Sequence, residues 1–148
     1  MPWYRYSRVF NNQALPVIEV LLRHGERSVR VPALVDSGAD VSAFDVNHAI
    51  ELGLDRAVAV HVPAVGAGGT EIDCLSWPGL ELQFEQERFP FVGRFIDFPS
   101  GSPRVNLLGR QDFFQRYIIQ FWDAAGLLGI DVSPNFPRDT PASGLTVQ

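Results

Sequence analysis

Val31-Pro32-Ala33-Leu34-Val35-Asp36-Ser37-Gly38-Ala39-Asp40 decides the reading of this chain, because an apolar run there delivers one carboxylate, Asp36, into a tight turn built from Ser and Gly. The run has the length and composition of a strand, and Asp-Ser-Gly is turn chemistry. Such a turn also occurs as plain structure, with Asp and Ser bonded to their own backbone, and its carboxylate then stands exposed and unpaired. Held at the end of a buried strand, the same carboxylate is half of a water-activating site. Splitting an unactivated amide with carboxylates alone takes two of them, one accepting a proton from water while the other gives one to the carbonyl. This chain offers one, so the chemical reading requires a second copy of it.

The 148 residues suffice for one domain with a real core and are too few for two of ordinary size. A net charge of -5 argues against an electrostatic grip on nucleic acid or on an anionic membrane, both of which select a basic face. Arg23, Arg27 and Arg30 cluster, but Glu19 and Glu26 interrupt them, as on a solvated hairpin surface. The lone cysteine, Cys74, excludes an intrachain disulfide and reads as a small buried hydrophobe on a strand. The aromatic N-terminal stretch has no continuous apolar run of the signal-peptide kind, and no segment approaches the roughly 20 apolar residues of a membrane span. A cytoplasmic, cofactor-free protein is therefore expected. His24, His48 and His61 lack any ligand spacing, so no metal site is expected either.

Prolines, glycines and short apolar runs separated by turn residues predict a mostly β architecture. Strands are expected at Val17–Leu22, Val29–Val35, Val58–Val62, Leu80–Phe84, Phe89–Phe95, Ile118–Trp122 and Leu127–Val132, with a hairpin loop at Arg23–Arg27 and a turn at Asp123–Gly126. Asp45 is placed to cap a helix over Val46–Leu52, which Gly53 would stop. A second short helix is predicted over Arg110–Tyr117. The chain divides into an aromatic segment, residues 1–15, that offers an interface strand, a folded domain, 16–132, and a Pro-, Ser- and Thr-rich tail, 133–148.

Three features follow in a fixed order: the Asp36-Ser37-Gly38-Ala39-Asp40 turn, the glycine-rich Val65-Gly66-Ala67-Gly68-Gly69-Thr70, and Val105-Asn106-Leu107-Leu108-Gly109-Arg110. Singly they are weak; Gly66 to Gly69 alone is a hairpin tip, and it lacks the Lys of a phosphate loop. In this order, over about residues 16 to 122, they resemble the retropepsin-like aspartic proteases, the family of the retroviral proteases and single-domain bacterial relatives. The resemblance implies a single-domain closed β-barrel with a glycine-rich flap hairpin and one or two short helices. It implies that Asp36 is the catalytic carboxylate, that Ser37, Gly38 and Ala39 shape its loop, and that Gly66, Ala67, Gly68 and Gly69 cover the substrate. Leu107, Leu108 and Gly109 would underlie the loop, and Asp40, on the substrate side, would form an ion pair with Arg110.

The implied function is that of an aspartic endopeptidase working as a homodimer on a peptide or protein substrate, with a non-catalytic peptide-binding or dimerisation module of the same fold as the alternative. Two facing Asp36 side chains cannot both ionise cheaply, so they would share a proton, an effect best known from the aspartic proteases themselves. Ser37 offers a hydroxyl for a bond across the two-fold axis, and Gly38 lets the backbone approach the carboxylates. Ala39 presents a methyl where many acid-active relatives place a hydroxyl donor, so activity is expected to peak in mildly acidic to near-neutral conditions. The strand Ile118–Trp122 and the aromatic N-terminus are the candidates for the remaining subunit contact.

Overall fold

The computed structural model describes residues 1–65 and 69–133. Strands dominate, as the composition requires, and the first hairpin sets the pattern. Strand β2 (Val17–His24) buries Val20 and Leu22, turns at Gly25 (φ 60°), and returns as β3 (Arg27–Val35), which buries Val31, Ala33 and Val35. A positive φ suits glycine, which carries no Cβ to clash with the backbone. Strand β3 then ends at the Asp36 turn, and β4 (Ala43–Asp45) follows. Asp45 does cap α1 (Val46–Glu51), accepting from the Asn47 N–H at 3.0 Å, and Gly53 (φ 77°) lies just past its end.

Strands β5 (Val60–Val65) and β6 (Glu71–Ser76) pair from Val60↔Ser76 to Val65↔Glu71 and so form the arms of the hairpin expected to cover a substrate. Gly66, Ala67 and Gly68 at its tip, and tail residues 134–148, lie outside the described residues. Strands β7 (Leu80–Phe84), β8 (Glu87–Pro90) and β9 (Arg94–Ile96) follow. The single strand expected over Phe89–Phe95 is thus two, because β8 pairs with β7 while β9 leaves it to pair with β4 and β6, past a Gly93 whose added Cβ would crowd Leu80 and the Phe91 ring. With β10 (Leu107–Leu108), these strands form a nine-stranded sheet in the order β5-β6-β9-β4-β10-β3-β2-β7-β8, curled into the half-barrel of a retropepsin-like fold.

The helix expected over Arg110–Tyr117 is shorter, a single wide turn over Arg110–Phe114 in which the Phe114 N–H reaches back to the Gly109 carbonyl at 3.3 Å. Tyr117 is instead the first residue of β11 (Tyr117–Trp122), drawn into pairing with Val132 of β12 (Leu127–Val132). Strand β1 (Trp3–Arg5) adds to the other edge of β12, giving a separate sheet ordered β1-β12-β11. Its inner face supplies Tyr117, Leu128 and Ile130 to the main core, where the Tyr117 ring lies 4.5 Å from that of the fully buried Phe113. Its outer face keeps Trp3, Ile118 and Trp122 exposed.

Candidate active site

Asp36 is positioned by the strand before it. Val35 is buried, and its N–H donates to the Pro16 carbonyl at 2.9 Å, so the last strand residue is fixed before the chain turns. The Asp36 N–H then donates to the Leu108 carbonyl at 3.1 Å, and the turn closes through the Ala39 N–H to the Asp36 carbonyl at 3.2 Å. One carboxylate oxygen of Asp36 accepts the Gly38 N–H at 2.9 Å; the other has no hydrogen-bond partner among the described residues. Asp36 is half-buried, while Ser37 and Gly38 are exposed, and the Ser37 hydroxyl is also unpartnered among those residues. A Cβ on Gly38 would come within 3.2 Å of the Asp36 Oδ1, tight enough to disturb the carboxylate.

Strand β10 fastens the turn from beneath, running parallel to β3 with Leu107 opposite Leu34 and Leu108 opposite Val35, while Leu107 also pairs with Ala43 of β4. Leu108 is fully buried and Leu107 half-buried. Gly109 has no alternative residue in this geometry, since a Cβ there would sit 2.3 Å from the Val41 carbonyl carbon. Its N–H donates to the Ser42 Oγ at 2.9 Å, and the Ser42 N–H donates to the Asp112 carboxylate at 2.9 Å.

The expected Asp40–Arg110 ion pair is absent among the described residues. The two segments meet through backbone instead: the Arg110 N–H donates to the Ala39 carbonyl and the Gln111 N–H to the Asp40 carbonyl, each at 2.9 Å. Both side chains are exposed, and water solvates such charges about as well as a partner does. Gly69 is the described end of the glycine segment and carries φ 80°.

Ser42, Asn106 and Asp112 escape the motif-based reading yet complete the loop. Asn106 is buried, donates to the Pro32 carbonyl at 2.8 Å and accepts the Asp45 N–H at 2.9 Å, tying β3 to the start of α1. A lone polar residue directly ahead of Leu107-Leu108-Gly109 was the available signal. Arg104 adds an ion pair of 2.7 Å to the buried Asp45. Burial pushes the Asp112 carboxyl up, against lowering by the Ser42 hydrogen bonds and by Arg94 and Arg116. Cys74 is buried on β6, and burial likewise raises its thiol. Among the described residues no three His, Cys, Asp or Glu side chains gather as a metal site would need, and no helix is long and apolar enough to cross a membrane.

A half-barrel whose glycine-walled acidic turn is undercut by a two-residue strand defines a retropepsin-like fold. Among solved structures, the EIAV protease complexed with the inhibitor HBY-793 is similar, at 23% identity and a TM-score of 0.50, over 69% of this chain and 88% of that one. No family model and no curated protein matches the sequence.

Proposed function

We propose that the chain is an aspartic endopeptidase, active as a homodimer in which each copy of Asp36 faces the other across a two-fold axis. The observation that carries this is the state of the Asp36 turn: a loop fastened on both sides by backbone bonds presents one carboxylate oxygen and the Ser37 hydroxyl with no partner among the described residues. A second copy of the same loop supplies both partners in one isologous contact. The two carboxyls then share a proton. The ionised one takes a proton from a bound water as it attacks the peptide carbonyl, and the protonated one donates to the carbonyl oxygen.

In this reading Gly38 and Ala39 keep the loop slim enough to meet its copy, and Asp40 flanks the bound peptide. The hairpin of β5 and β6, with Gly66, Ala67, Gly68 and Gly69, covers the substrate, which lies extended and pairs through its main chain. Leu107, Val65 and Ile72 favour apolar residues around the cut. The outer face of the small sheet, with Trp3, Ile118 and Trp122 exposed, extends the subunit contact. A cytoplasmic setting, in which Cys74 stays a thiol, belongs to the same reading.

Asp36→Asn tests the proposal. The variant is expected to unfold at the wild-type denaturant midpoint while cleavage of an apolar peptide library falls to background. Wild-type turnover in that variant refutes the assignment; a monomer at every concentration, with peptide bound but uncut, assigns the fold to a non-catalytic module.

A further inference from the structure

A cavity of about 880 Å³ lies away from Asp36, between the hairpin of β5 and β6, the turn before β7, the end of β8 and the wide turn Arg110–Phe114. None of residues Asp36 to Asp40 lines it. Its floor is aromatic, made by the buried Trp77, Phe89 and Phe91. Its rim is apolar too and stands in solvent: Val60 is 52% exposed, Val92 is 56% exposed, and Pro78 and Pro90 are exposed with them. Single exposed valines are ordinary, but four apolar side chains around one aromatic hollow make a surface that gains from being covered.

The rim also selects the form of an occupant. Pro78 and Pro90 have no N–H, and β8, the edge strand of its sheet, ends at Pro90, so an added β-strand finds no ladder to join there. A proline-rich segment in the polyproline II form needs no ladder, and it packs its rings on aromatic-lined grooves.

Such a segment begins beside the cavity. Strand β12 ends at Val132, and the Ser133 N–H donates to the carbonyl of Arg116 at 2.9 Å. Arg116 and its neighbour Gln115 both line the cavity, so the last described residue is fastened to the wall. The next four residues are Pro134-Asn135-Phe136-Pro137, a Pro-x-x-Pro stretch carrying one large aromatic side chain. Three extended residues span about 10 Å, roughly the edge of a cube of the cavity's volume, so Phe136 is within reach of the aromatic floor. So short a tether gives an effective concentration on the order of millimolar or above, at which even weak packing suffices.

We infer that this cavity is the docking site of the chain's own residues 134–137, with Phe136 laid on the aromatic floor and the two prolines against the apolar rim. The docked segment braces β5, one arm of the hairpin, against the turn that carries Asp112.

Limited trypsin digestion of the full chain tests the docking. Cleavage after Arg138 requires the residues before it to enter the trypsin cleft, which they do only when undocked, so the rate follows the undocked population. Phe136→Ser and Val92→Asp, one on each side of the contact, should each raise that rate by about tenfold or more, measured against cleavage after the exposed Arg8 and corrected for the same serine substitution in a free peptide of residues 133–142. The protection should be the same at every protein concentration. It should also persist in Asp36→Asn, which keeps this result separate from the outcome for peptide cleavage. Equal corrected rates after Arg138 in wild type and both variants overturn the inference. Protection that grows with protein concentration overturns it in favour of a segment from a second copy.

Discussion

Replacing Gly109 by Ala puts a methyl group 2.3 Å from the Val41 carbonyl carbon, 2.4 Å from its oxygen and 2.8 Å from the Ser42 nitrogen. All three are backbone atoms, so no side chain can swing aside. Either β10 or the loop behind Asp36 has to retreat by about 1 Å to restore ordinary contact, in an interior that packs without slack. The retreat stretches the Gly109 N–H bond to the Ser42 Oγ, now 2.9 Å, and the Asp36 N–H bond to Leu108, now 3.1 Å. Overpacking of this kind costs about 1–3 kcal/mol, and a weakened buried hydrogen bond adds about 1 kcal/mol. With a urea dependence of about 1–3 kcal/mol per molar, the unfolding midpoint should drop by about 1–2 M. In the enzymatic reading, a displacement of about 1 Å at the dyad lowers turnover on the order of 100-fold. Gly38→Ala is the internal comparison. Its Cβ meets only the Asp36 Oδ1, at 3.2 Å, so it should cost under about 1 kcal/mol in stability. Equal midpoints for Gly109→Ala and wild type, measured by tryptophan fluorescence, would refute the view that β10 undercuts the loop.

The raised carboxyl of Asp112 binds its proton more tightly in the folded chain than in the unfolded one, so folding stability should fall as pH rises from the ordinary carboxylate range to the raised value. Asp112→Asn, which can still accept the Ser42 N–H, should flatten that slope, and urea midpoints taken across this window would show it; parallel profiles for the two proteins would count against the effect. In the proposed homodimer, Trp122→Glu places a charge on the exposed outer face of the small sheet, where Trp122 meets the Trp3 ring edge-on, and should weaken self-association by about tenfold or more in sedimentation experiments, while the lost ring contact costs the monomer about 1 kcal/mol. An unaltered dimer would move the subunit contact elsewhere.

Features set by neighbours in sequence were legible. Asp45 before an apolar helical stretch with Gly53 behind it, Leu80–Phe84 as an alternating strand, and Leu127–Val132 after its turn all appear with the expected ends or close to them. Features set by distant pairing were not. Ala43–Asp45 is too short to show a period, and it is a strand because β9 and β10 flank it. Tyr117 could continue a helix by local preference, and the core claimed it for β11. Within the candidate site, the Asp36 turn could be read from its own residues, while the position of Leu107-Leu108-Gly109 beside it came only from the family resemblance, and β10 does pair there with β3. The expected Asp40–Arg110 ion pair does not form among the described residues, because two exposed charges near each other are free to remain in water. Ser42 and Asp112 stand 70 residues apart, and only the folded chain shows that one holds the other.

That dependence on late residues has a consequence during synthesis. The turn bearing Asp36 leaves the ribosome before Asn106 to Asp112, the residues that impose its shape, with Ser42 and Asp112 separated by 70 residues. A nascent or truncated polypeptide that stops short of those residues carries the acidic motif without the scaffold that gives it form, so whatever reactivity the motif has is withheld until they are in place.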